Sequence, residues 1–441
     1  MYALGHELAQ TPSHKFDLAH MRVLLAALGH PENRFPSVLV AGTNGKGSTA
    51  ATLGSILQAS GLRTGLYTSP HLVRINERIR LNGEPIGDDD FALLHDVVDR
   101  TAERLVGEGD LPWHPSFFET LTAMAFEYFA RLWPDMVVLE VGMGGRLDAT
   151  NVVDPRLSII TDIALDHQKY LGETIAEIAR EKAGIIRPGG IVVTLPQLPE
   201  ANDAIGNTIL SAGARAVNAV PYVPPVSPSS GQWPAASGQG QRYPLEVCGQ
   251  TIMVESPLVG RHQLRNLALA IAAAVELRHQ GITQITPGTI AQGIRQTDWP
   301  ARFQVVPATG DNPEYVLDVA HNPAGAWALR STLAAAYQDG REITIVFGVM
   351  RDKAVREITE ILFPIARHVI VTHSNNPRSA SQDEIRQAAA RVAAGMDIAE
   401  ADNVTSALKQ ARRVAGPSGV IVVTGSIYVV GEAMQKLGVS I

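Results

Sequence analysis

Cysteine is almost missing: Cys248 stands alone among 441 residues. No disulfide can form within the chain, and no thiolate cluster can hold a metal. An excess of positive charge is missing too. The formal net charge is −7, which removes the overall attraction that dominates nucleic-acid binding. No apolar run is long. The longest, around Leu267–Leu277, falls well short of the roughly 20 residues that cross a bilayer. The opening MYALGHELAQ has no basic segment leading into an apolar stretch, so it does not read as a signal peptide. These absences predict a soluble, cytoplasmic protein without nucleic-acid or membrane partners.

What is present is an ordinary globular balance, 45% hydrophobic and 18% charged. The length predicts two or three domains. Short β-branched runs alternate with helical patterns, the signature of parallel α/β layers. Strands are expected at Ser37–Ala41, Thr64–Thr68, Met136–Val141, Leu157–Ile163 and Ile191–Leu195. Helices are expected at Gly47–Ser60, Phe91–Val106, Ser116–Trp133, Thr174–Ile185 and about Arg261–His279. Residues 221–240 are rich in Pro, Ser and Gly and form no apolar face, so they predict a surface loop or disordered insert that buries little. Thr297–Ala301 (TDWPA) reads as a linker. The alternation restarts with strands at Tyr315–Val319, Ile343–Val349, His368–Thr372 and Gly419–Thr424, and with helices at Ala324–Tyr337, Lys353–Pro364, Gln382–Ala394, Thr405–Val414 and Tyr428–Leu437. The expected fold is α/β: a large N-terminal P-loop parallel-sheet domain over 1–298 and a smaller Rossmann-like α/β domain over 299–441. The active site is expected in the cleft between them.

The clearest chemical signal is VAGTNGKGST at 40–49, between a strand and a helix. Glycines at 42, 45 and 47 let backbone approach an anion, and a helix N-terminus offers unpaired N–H groups. Lys46 can neutralise phosphate charge, while Ser48 or Thr49 can reach Mg²⁺. Asn44, Gly45 and Gly47 complete the expected ATP contact. The pattern departs from G-x-x-x-x-G-K-[ST], because Val40 replaces the first glycine and Gly47 separates Lys46 from Ser48. It predicts a nucleoside-triphosphate site without saying where the phosphate goes.

Further motifs narrow this. GTNGKGS at 42–48, YTSPHL at 67–72, NERI at 76–79, LEVGMGGRLDATN at 139–151, Asp166-His167 and EKAG at 181–184 occur in that order. His262-Gln263 with Asn266, WPAR at 299–302, DVAHNP at 318–323 and VTGS at 423–426 follow. Together they closely resemble the folylpolyglutamate synthase/dihydrofolate synthase family of the Mur-ligase superfamily, over about 15–198 and 257–435.

The resemblance implies an ATP-dependent ligase that adds L-glutamate to a folate or to dihydropteroate through an acyl phosphate. It makes 1–298 the ATP-binding part and 299–441 the glutamate-ligase part of a monomeric enzyme. It implies two Mg²⁺ sites and a monovalent cation. Glu140 and Ser69 become ligands of one Mg²⁺ and His167 of the second, although imidazole is softer than Mg²⁺ prefers. The resemblance makes Lys182 a carbamate-bearing ligand; read plainly, a lysine near a helix end complements the dipole and is solvated. Lys46, Lys182 and His167 are the implied catalytic set. Asn266, Arg302, Asp318 and His321 are implied on the nucleotide side, and Ser116, Phe117, Phe118, Glu119, Leu147, Asp148 and Ala149 on the folate side. Ser116 and Glu119 also fit a helix capping box, which by itself explains both. Arg74, Arg78 and Arg80 read as solvated loop charges or as partners of acidic substrate groups.

Four rivals are weaker, one of them a non-catalytic nucleotide-binding relative, against which the presence of Lys46, Glu140, His167 and Lys182 together argues. A peptidoglycan-precursor ligase carries a nucleotide-sugar domain before the phosphate loop, for which the residues ahead of Gly42 leave no room. A P-loop kinase or NTPase does not explain DVAHNP. A dinucleotide oxidoreductase needs G-x-G-x-x-G, which Gly142-Met-Gly-Gly145 does not supply.

Overall fold

The computed structural model describes residues 17–224, 240–310, 312–392 and 396–439. Most of the Pro/Ser-rich insert, 225–239, lies outside the described residues; the helix expected to reach residue 394 ends at Ala388, with Ala389 as its cap.

Eight strands build the larger sheet: β1 (Ser37–Ala41), β2 (Thr64–Tyr67), β3 (Ile79–Leu81), β4 (Glu84–Pro85), β5 (Met136–Glu140), β6 (Leu157–Ile160), β7 (Ile191–Thr194) and β8 (Arg215–Asn218). Their order is β4-β3-β2-β5-β1-β6-β7-β8. β3 and β4 run antiparallel at one edge, and the others are parallel. A hairpin of β9 (Gln241–Val247) and β10 (Gln250–Ser256) stands apart. The second sheet contains β11 (Gln304–Val306), β12 (Glu314–Leu317), β13 (Ile343–Phe347), β14 (His368–Val371), β15 (Asp397–Glu400) and β16 (Val420–Thr424). Its order is β11-β12-β16-β13-β14-β15, with only β11 antiparallel to its neighbour.

Successive strand residues point to opposite faces, and both sheets use that period. In β1, Leu39 and Ala41 join one core with the helices Asp88–Glu108, Phe117–Leu132 and Ile175–Ala183. Val38 and Val40 join another with Lys46–Ala59, Arg261–His279 and Pro287–Arg295. Val420 and Val422 of β16 likewise face one core of the second sheet, and Ile421 and Val423 the other. Strands buried on both faces read as continuous apolar runs, which is why the central strands were predictable and the edges β3, β4 and β8 were not.

Helix Lys46–Ala59, which starts at the phosphate loop, is wedged between two others. A Cβ at Gly293 would run into the Ile56 backbone of this helix. Gly293→Ala should therefore destabilise the protein by about 1–3 kcal/mol through overpacking; a chemical-denaturation midpoint equal to wild type would refute this contact.

One loop crosses between the two sheets. The Glu77 carboxylate accepts backbone N–H groups from Leu72, Val73 and Arg74, which holds the 70–78 segment in a compact turn. Leu72 then packs on the second half's core. Its carbonyl lies so close to Gly431, inside helix Ile427–Leu437, that a Cβ there would collide with it. Of the loop arginines, only Arg74 matches a solvated charge, paired with Asp88 on the surface. Arg78 and Arg80 are buried; their Nε groups donate to His71 Nδ1 (3.0 Å) and Glu77 O (3.2 Å).

Candidate active site

The parallel strands of the first sheet end at the phosphate loop. Thr43 and Asn44 N–H donate to the Asp162 carbonyl at 2.9 and 3.1 Å. Gly45 adopts φ +88° at the cap of the helix, and a side chain there would strike Asn266 Oδ1. The glycine thus allows the buried Asn266, on helix Arg261–His279, to reach the loop. Lys46 Nζ donates to the carbonyls of Gly42 (3.1 Å) and Thr43 (3.2 Å). Burial pulls its pKa below the usual lysine range, while Glu140 and Asp166 oppose that.

Glu140 closes the apolar strand β5, and its Oε2 accepts the Ser69 N–H at 3.1 Å. Burial raises its carboxyl pKa; Lys46, the Ser69 N–H and Arg302 work in the other direction. A buried carboxylate beside a serine and a cationic phosphate loop fits Mg²⁺, which takes one or two protein oxygens and completes its shell with phosphate and water.

Lys182 is buried, not solvated. It sits in the last turn of helix Ile175–Ala183, and Nζ donates to the Gly42 carbonyl at 2.8 Å. Burial and then Lys46 lower its pKa to about 7. The helix-end reading fails because this end faces the phosphate loop and not water.

The second half meets the first around Asp166. Asp166 Oδ1 accepts Lys353 Nζ at 2.7 Å, and its Oδ2 accepts Asn322 Nδ2 at 3.3 Å. Asn322 also donates to Asn44 Oδ1 at 2.9 Å, tying DVAHNP to the phosphate loop. Burial alone would raise the Asp166 carboxyl pKa, but the polar groups around it, the bonded Lys353 ammonium above all, hold it well below its ordinary value. His167 and His321 are kept neutral: burial and then Lys353 lower both to about 4. His321 Nδ1 is fixed on the Val319 carbonyl (2.8 Å).

Asp318 is buried and accepts N–H groups of Phe303 (2.8 Å) and Ala320 (2.9 Å), with Arg302 as its charged neighbour. Its carboxylate therefore shapes the linker that presents Arg302.

A cavity of about 440 Å³ opens between the halves. Ser69, Arg78, His167, Arg302, His321 and Lys353 form its polar side. Ser116, Phe118, Glu119, Leu147, Asp148 and Ala149 line the other side, together with Met21 and Tyr170. Phe117 does not line it; its ring lies under the Arg78 guanidinium, 5.3 Å from the centroid. The capping box is real, with Ser116 N–H on Glu119 Oε2 at 2.7 Å and Glu119 N–H on Ser116 Oγ at 3.3 Å. Asp148 spends both oxygens on Met143 N–H, Thr150 N–H and Thr150 Oγ1, so it holds the 142–149 turn in shape. Residues 42–49 do not line the cavity; they sit behind Asp166 and Asn322.

Lys353 is the main residue that sequence reasoning missed. Asn322 carried a signal through DVAHNP, whereas Lys353, in Arg351-Asp352-Lys353, looks like a surface charge.

This arrangement defines an ATP-dependent ligase of the Mur type: a family model for the Mur ligase middle domain matches residues 118–274, and one for the Mur ligase glutamate ligase domain matches 301–427. The chain belongs to the folylpolyglutamate synthase/dihydrofolate synthase family. It is 34% identical to the dihydrofolate synthase/folylpolyglutamate synthase of Bacillus subtilis, over 95% of this chain and 94% of that one. The corresponding Escherichia coli protein is 33% identical, over 90% and 86%. Among solved structures, Mycobacterium tuberculosis folylpolyglutamate synthase complexed with ADP and AMPPCP superposes with a TM-score of 0.86 at 33% identity, covering 96% and 95%. The Escherichia coli protein in complex with DHPP and ADP gives 0.83 at 30%, covering 99% and 96%.

Proposed function

We infer that this enzyme joins L-glutamate to a folate-type carboxylic acid, dihydropteroate or a reduced folate, at the expense of ATP. The observation that carries the reading is the cavity between the halves, where Met21, Phe118, Leu147, Ala149 and Tyr170 share the lining with His167, Arg302 and Lys353. The acid's carboxylate oxygen attacks the γ-phosphorus of ATP, forming an acyl phosphate and releasing ADP. The glutamate amine then attacks the acyl carbon, phosphate leaves with the bonding pair, and the amine loses its proton.

Lys46 and the N-terminus of helix Lys46–Ala59 cradle the phosphates. Arg302, Asn266, Asp318 and His321 serve the nucleotide from the linker, the facing helix and the second half. Glu140 and Ser69 would hold one Mg²⁺, and His167 and a carbamylated Lys182 a second. When bound, such ions neutralise the charge that builds up on the transferring phosphoryl group. The cleft between the halves would limit the access of water to the acyl phosphate. We place the boundary between the two parts at 298/299. The proposed enzyme is monomeric and cytoplasmic and uses a monovalent cation as well; among the described residues no helix is long and apolar enough to cross a membrane.

Phosphate release with ATP, Mg²⁺ and glutamate, measured with dihydropteroate and separately with tetrahydrofolate, tests the reading. Release should need glutamate and one or both acids. Release indifferent to glutamate would return the chain to an NTPase or kinase.

A further inference from the structure

Lys353 lines the cavity with only 9% of its side chain exposed, yet it belongs neither to the phosphate cradle nor to the residues read as metal ligands. It enters from the loop after β13 and crosses to the first half. There its ammonium lies 2.7 Å from Asp166 Oδ1 and 3.4 Å from His167 Nε2. Its backbone is firmly placed: Lys353 N–H donates to Met350 O (3.1 Å), Arg351 N–H to Arg378 O (2.9 Å), and Ala380 N–H to Val349 O (2.9 Å). This loop is tied to its neighbour, so the ammonium is held at Asp166 by the second half as a unit.

With the ring proton on Nδ1, His167 offers one lone pair at Nε2, and an imidazole nitrogen can serve only one cation at a time. In this structure the cation facing it is the ammonium. A divalent ion on the same nitrogen would also be repelled by an ammonium a few ångströms away, in surroundings where charge is poorly screened. Asp166 anchors the lysine there and is itself braced by Asn322 from the second half.

We propose that Lys353 is the built-in counter-ion of the Asp166–His167 pair, and that it competes with a divalent ion for His167, so that loading this ion and loosening the second half's contact at Asp166 are one event. The inference rests on the reading of His167 as a metal ligand. It makes Lys353 a positioning residue whose charge sets ion occupancy.

Mn²⁺ titration followed by electron paramagnetic resonance, with ADP present, tests it independently of turnover. Lys353→Met should lower the apparent Kd of the weaker Mn²⁺ site by about tenfold or more, the scale of removing one nearby like charge. Lys353→Gln should do the same, which guards against misfolding of one variant. Lys353→Arg, which keeps the charge, should bind like wild type. Unchanged Mn²⁺ affinity in both neutral variants would overturn the proposal. So would tightening that persists in Lys353→Met combined with His167→Ala, because the competition would then lie elsewhere. Failure of the ligase reading would appear separately, as wild-type phosphate release that ignores glutamate.

Discussion

Replacing Lys46 with alanine should lower the ligation rate by about 10²–10³, the usual cost of removing one preorganised electrostatic contact to a transferring group, while the fold survives. Lys46 lies in the phosphate loop, and its ammonium donates to the loop carbonyls of Gly42 and Thr43. Those two bonds stabilise the loop modestly, so some loss of thermal stability is expected with the loss of rate. The two effects separate cleanly in a direct ATP-binding titration set beside turnover. A contact made mainly in the transition state reduces turnover far more than it reduces nucleotide affinity. Retention of more than half the wild-type rate in a folded Lys46→Ala enzyme would remove this loop from the chemistry.

The second large effect concerns Lys182. Lys182→Ala should lose most ligase activity, and small carboxylates such as formate should restore part of it. Carbamate formation needs the neutral amine, and this amine is available: burial and the neighbouring Lys46 bring its pKa from 10.5 to about 7. The sign of the pH effect follows. Below about pH 7 the ammonium dominates and cannot take up CO₂; above it the neutral amine dominates and can. Wild-type activity in CO₂-depleted buffer should therefore recover on adding bicarbonate at pH 8, and much less at pH 6. The carbamate would turn a cation into an anion with oxygen donors, which suit Mg²⁺ better than an amine does. A purely structural role for the bond to Gly42 predicts loss without rescue, since formate would not rebuild the loop. Undiminished turnover and glutamate affinity in Lys182→Ala would exclude both roles.

The first of these residues was legible from its own local pattern, whereas the second was reached only through the resemblance that EKAG at 181–184 carries, for a physical reason. Lys46 lies inside a local pattern of strand, glycines and helix start, in which each residue supports the same reading. Lys182 is buried because its helix end packs against a loop about 140 residues earlier in the chain, and no local pattern records that encounter. Lys353 is harder still. Its partners Asp166 and His167 lie across the two sheets, and its own neighbours Arg351 and Asp352 advertise solvent. The same divide runs through the fold. β5 and β16, buried on both faces, announce themselves as apolar runs, whereas β8 (RAVN), at the edge and mostly exposed, does not. Phe117 and Phe118 were indistinguishable as letters; only packing sends Phe118 to the cavity and Phe117 beneath Arg78.

The contact between the Leu72 carbonyl and Gly431 limits how freely the halves can be exchanged. Ser69, whose N–H steadies Glu140, lies three residues before Leu72, on the segment that Glu77 draws into a compact turn. The last helix of the chain thus presses on the strap that shapes the first half's phosphate end. A chimera that took its C-terminal half from a relative with any side chain at position 431 would push this strap away from Glu140, even if both halves folded well. Removing the last helix would leave the strap without its backing, at a distance from the phosphate loop where no catalytic loss would be anticipated from the linear map. The halves of this ligase are therefore matched parts, and the match is written in one glycine that itself carries no reacting group.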